Sequence, residues 1–104
     1  MVDKNTTLEK FIQNYKIEEF KLKSSILDIT CRDLEYGTGI FPEDDIYILR
    51  ISIDGENDLY FKLKKEDLET KISNIEKSEY YSSFEDYEYI FKIGELELRF
   101  QIEE

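Results

Sequence analysis

Apolar positions along this chain recur at two spacings, one helical and one of strands. Leu8, Phe11, Ile12 and Tyr15 fall at i, i+3, i+4 and i+7, with Lys10, Gln13 and Asn14 opposite. Thr6-Thr7-Leu8-Glu9 before them reads as a capping box, so a helix is expected over about residues 7–16. Phe20 and Leu22 then alternate with Lys21 and Lys23, as a half-buried strand does. After Ser24-Ser25 the phase changes, and Leu27, Ile29 and Cys31 carry the apolar face. A phase change in a period-two pattern requires a bulge or a break near the serines.

Residues 32–44 read as a loop, with Gly37, Gly39 and Pro42 inside it. From Asp45 to Ile53 the chain is dense in Ile, Leu and Tyr, and Asp54 to Asp58 is turn chemistry. Leu59 to Leu63 alternates. Setting Ile53, Ile51 and Leu49 opposite Leu59, Phe61 and Leu63 puts six apolar residues on one face. Ile46, Tyr47 and Ile48 are apolar on both faces, which predicts a central strand partly covered on two sides. Leu68, Ile72 and Ile75 predict a second helix over 66–77, with Glu66 and Asp67 in its first turn. Residues 78–86 have no period and read as a connection. A last hairpin turns at Ile93-Gly94 and pairs Phe91 with Leu96, Tyr89 with Leu98 and Tyr87 with Phe100.

The expected fold is α+β: an antiparallel sheet of about five strands with two helices packed on one face, in the order α-β-β-β-α-β-β. It is read as a single domain over 1–104.

Composition supports folding. Hydrophobic residues make up 40% of the 104 residues and aromatics 14%, more than a disordered chain with 38% charge carries. No apolar run approaches the roughly 18 residues of a membrane span. The first residues show no apolar stretch behind a basic start, and Cys31 is the single cysteine. The expected location is therefore the cytoplasm.

Charge narrows the partners. Fourteen basic residues against 25 acidic ones give −11. That sign opposes direct binding to nucleic acid or to an anionic membrane. It favours a protein with a basic surface. The acidity is uneven. Residues 1–30 are balanced, whereas residues 31–60 hold Arg32 and Arg50 against eight acids.

The side-chain inventory argues against catalysis. Histidine is absent, which removes the commonest general base and metal ligand. Zinc sites need more Cys or His than this chain has, and its four glycines form no phosphate-cradling motif. Cys31 lies on an apolar strand face with no base beside it and reads as a small buried hydrophobe. Asp54, Glu56 and Asp58 mimic the start of a calcium loop, but Leu59 and Lys65 occupy the positions that require Gly and Glu. No enzyme activity, cofactor or metal is expected.

Two stretches mix carboxylates with aromatics and are the candidate partner-binding sites. One is the 33–45 segment, with Asp33, Glu35, Tyr36, Glu43, Asp44 and Asp45. The other is the 79–89 segment, with Glu79, Tyr80, Tyr81, Glu85, Asp86 and Glu88. Carboxylates pair with Arg and Lys, and tyrosine supplies anchor area at low entropy cost. Rows of carboxylates can also stand in for phosphates facing a basic groove. The leading expectation is a small acidic inhibitor or immunity-type protein that blocks a nucleic-acid-binding or toxin surface. The alternative is an accessory module docking through an apolar sheet or helix face, its acidity serving solubility only.

Overall fold

Local hydrogen bonding decides where each element starts and stops. The computed structural model describes residues 2–32, 34, 37–54, 56–78 and 87–103. Helix α1 spans Leu8–Asn14, and its cap is Thr7, whose hydroxyl accepts from the Lys10 N–H at 3.3 Å. It buries Leu8, Phe11 and Ile12, the face the i, i+3, i+4 spacing predicts.

Strands β1 (Ile17–Lys23) and β2 (Asp28–Cys31) form a hairpin, so the phase change at the serines marks a turn. Ser24 builds that turn. Its N–H donates to the Leu27 carbonyl, and its hydroxyl accepts from the N–H groups of Ile26 and Leu27. Ile26 stands at the tip, 87% exposed.

The 32–44 segment differs from the expected loop. Thr38–Glu43 is a strand, β3, paired with β4 (Ile46–Ser52), which pairs in turn with β5 (Asp58–Leu63). Alternation of Ile40 with Phe41 is masked in sequence by Gly39 and Pro42, which the edge position of β3 tolerates. The β4–β5 register lies two residues from the expected one: Ile51 faces Leu59, Leu49 faces Phe61 and Tyr47 faces Leu63. The loop is longer because Asp54 organises it. Its carboxylate accepts from the N–H groups of Glu56 and Asn57, and Ile53 donates to the Asn57 carbonyl.

The second helix is shorter than expected. α2 is a single turn, Lys65–Leu68, and Asp67 caps it by accepting from the Lys64 N–H at 2.8 Å. Beyond it, β6 (Asn74–Lys77) pairs with β7 (Tyr87–Ile93). Leu68, Ile72 and Ile75 do reach the core, but through a turn and a strand. Ser73 pulls the chain onto the sheet, since its N–H and hydroxyl both donate to the Ile90 carbonyl. Strand β8 (Leu96–Ile102) completes the last hairpin, with Ile93 facing Leu96, Phe91 facing Leu98 and Tyr89 facing Phe100. That register is also shifted by two. The turn is Gly94-Glu95, and Gly94 has a φ of 59°, the left-handed region that suits glycine.

The α+β class with antiparallel pairing stands, and the described residues form two sheets. One has the order β2-β1-β8-β7-β6 and the other β3-β4-β5. Their inner faces meet through Phe20 and Phe61, with ring centroids 5.8 Å apart. Helix α1 lies on the same face of the larger sheet, with Phe11 within 6 Å of Tyr89, Phe91 and Phe100. Cys31 is buried, and burial pushes its thiol up, as expected of a packing residue. Substituting Phe100→Ala removes the ring that touches Phe11, Phe20 and Phe91, and should cost about 3–5 kcal/mol in a urea melt. Gly94→Ala should cost about 1–2 kcal/mol in the same measurement, for the left-handed φ alone.

Candidate functional site

The inner face of the three-stranded sheet is in the core, and its outer face stays open. Pairing places Gly39, Arg50 and Tyr60 in one outward row and Phe41, Ile48 and Lys62 in the next. Phe41 is 46% exposed and Tyr60 63%, two of the large apolar side chains most open to solvent. Together with Ile48 they line a shallow hollow of about 460 Å³ whose cations are Arg50 and Lys62. The Arg50 guanidinium sits over the Phe41 ring, 4.9 Å from its centroid. Its Nε is buried with no hydrogen-bond acceptor among the described residues, and the stack on Phe41 is the favourable contact its guanidinium makes there. Gly39 makes room for this stack, because a Cβ there would lie 3.0 Å from the Phe41 ring. Tyr60 is held from the other side, its hydroxyl donating to Asp58, which also accepts from Ser52.

The acidic turn lies at the end of this face. Glu43 and Ile46 are paired, so Asp44-Asp45 is a two-residue turn, with Asp44 at a φ of 52°. Aspartate tolerates that region better than most residues. Glu43, Asp44 and Asp45 are all exposed. The structure thus brings together three expected partner-binding carboxylates and sets them beside Phe41. Arg50, Ile48 and Tyr60 were not expected at a site. The signal available in sequence was the run Ile46-Tyr47-Ile48, apolar on both faces. That run predicts a central strand partly covered on both sides, and the partly covered outer side is the one that carries the hollow.

Glu88 is corrected by its surroundings. It was expected among partner-facing acids, but it is 5% exposed, on the outward face of β7. Lys21 Nζ donates to one oxygen at 2.6 Å and Arg99 to the other at 3.0 Å. Burial raises its carboxyl, and the hydrogen bonds and charges of Lys21 and Arg99 outweigh that, leaving it below the ordinary glutamate range. Arg99 is further bound by Glu76 and Glu97, and these contacts raise its guanidinium against the opposing effect of burial. Glu88 therefore holds the outer face of the large sheet together. Asp33, Glu35, Tyr36, Glu79, Tyr80, Tyr81, Glu85 and Asp86 lie outside the described residues.

Among the described residues, no three His, Cys, Asp or Glu side chains converge to hold a metal ion. No helix there is long and apolar enough to cross a membrane. In comparisons with known proteins, the chain matches no family model, no curated protein and no solved structure.

Glu88→Gln leaves Lys21 and Arg99 facing a neutral amide in a mostly buried place. It should cost about 2–4 kcal/mol at pH 7, measured by chemical denaturation. Because the folded value is depressed, the stabilisation is complete above the ordinary value of 4.5 and fades as pH falls through the folded value. The wild type should therefore lose its advantage over the Gln variant in acid.

Proposed function

We propose that this chain is a non-enzymatic protein-binding domain that docks through the outer face of its three-stranded sheet. The observation carrying this reading is the exposed pair Phe41 and Tyr60, Phe41 held by Arg50 on the paired strand and Tyr60 by Asp58 on its own. Rigid aromatics with large exposed area are the residues that anchor interfaces. A partner that covers Phe41, Ile48 and Tyr60 also meets Glu43, Asp44 and Asp45 at the rim. Three adjacent carboxylates favour a basic surface there and speed encounter more than they add affinity. The reading joins the two expectations: apolar contact supplies affinity, and acidity supplies orientation.

A narrower form follows if the basic surface is itself a working site. The chain would then act as an inhibitor or immunity-type protein, covering a nucleic-acid-binding or toxin surface, without binding nucleic acid itself. The net charge of −11 supports this form. A cytoplasmic setting suits both, since the single cysteine is buried and unpaired.

The test is capture of a partner from a lysate of the source organism, followed by kinetics on the purified pair. Phe41→Ser with Tyr60→Ser should weaken binding by about a hundredfold or more through faster dissociation. Glu43→Gln, Asp44→Asn and Asp45→Asn together should slow association by about tenfold and flatten its salt dependence. A partner bound equally well by both variants would refute the reading.

A further inference from the structure

The outer face of the five-stranded sheet collects the charge that the chain as a whole lacks. It carries a depression of about 400 Å³ lined by five cations, three carboxylates and Thr30. In a chain with 14 basic residues and 25 acidic ones, that is a local reversal of sign. The carboxylates cancel part of it: Lys21 and Arg99 share Glu88, Arg99 also meets Glu76 and Glu97, and Arg32 meets Glu19. Lys23 and Lys77 also line it, and among the described residues their ammonium groups make no ion pair or hydrogen bond, so the uncompensated charge is theirs. Thr30 sits directly across from Lys21 in the β1–β2 ladder and adds a hydroxyl donor.

The lining also limits what can enter. Every described side chain in it is charged or polar, so it offers no platform for a base or an acyl chain. Asp28 and Glu76 stand in it too and repel an extended polyanion. Lys21 and Arg99 are mostly buried and locked by Glu88, so the floor is preorganised. A compact, doubly or triply charged anion satisfies these conditions, as the ammonium groups and the guanidinium suit its oxygens.

We propose that this depression binds a small, multiply charged anion of the phosphate class, contacted by Lys21, Lys23 and Thr30 on the β1–β2 hairpin and by Lys77 and Arg99 across the sheet. This site lies on the opposite sheet from the docking face and stands or falls separately from it.

The experiment is a titration of the full chain with inorganic phosphate, pyrophosphate and glucose 6-phosphate, followed by amide NMR shifts at constant ionic strength. Saturable shifts centred on β1, β2 and β8 are expected, with pyrophosphate about tenfold tighter than phosphate. Glucose alone should give none. The pair Lys23→Ala with Lys77→Ala should weaken pyrophosphate by about tenfold or more, while Lys10→Ala on helix α1 leaves it unchanged. Thermal melts check that each variant is folded. Shifts reproduced by sodium chloride at equal ionic strength, or an affinity indifferent to the Lys23 and Lys77 changes, would overturn the proposal.

Discussion

Everything in this fold leans on the contact between Phe11, Phe91 and Phe100. A seven-residue helix is too short to persist alone in water. Its stability comes from seating one ring among others on a sheet. Phe100 extends the contact to Phe20, and Phe20 extends it to Phe61 on the second sheet. The aromatic chain thus links helix, large sheet and small sheet. Aromatic pairs at these separations add about 0.5–1.5 kcal/mol each beyond the burial of their area. Since the small sheet is fastened through its inner face, its outer face remains open for contact.

Two different uses of charge sit on opposite sides of that core. On the large sheet, alternating signs are packed together until Glu88 is nearly dry, and the ions there are structural first. Removing either partner of such a group leaves a charge stranded, which makes the arrangement specific even where its net contribution is small. On the small sheet, Glu43, Asp44 and Asp45 stand in water at a turn, where they add little to folding. Counting acids along a sequence does not separate these cases. Glu88 and Glu43 look alike until strand pairing places Lys21 and Arg99 beside one of them.

The sequence made the strand faces legible, because period-two alternation survives even when the register is misjudged. Leu49, Ile51, Leu59 and Phe61 point inward as expected, though each pairs two positions from its predicted neighbour. Register depended on the reach of the Asp54 turn and on which side of Gly94 the last hairpin closes, and both are set by local hydrogen bonds rather than hydrophobicity. The helix expected over 66–77 failed for a related reason. Leu68, Ile72 and Ile75 satisfy a helical stripe, but the Ser73 bonds to Ile90 and the open edge of β7 favour a strand. The carboxylates at 43–45 are legible as a candidate site. Their aromatic companions were not, because Phe41 and Tyr60 meet only after β3, β4 and β5 align.

Pro42 gives the small sheet a further property. It lies in β3, an edge strand, and has no N–H to offer a newcomer. A peptide seeking to extend the sheet along that edge would find the ladder interrupted. Strand addition, which reads backbone and is generous about sequence, is thereby discouraged there. On the proposed docking reading, recognition would fall to side chains on the face, where shape and charge discriminate between partners. One imino acid thus tilts the hairpin away from promiscuous pairing and aggregation.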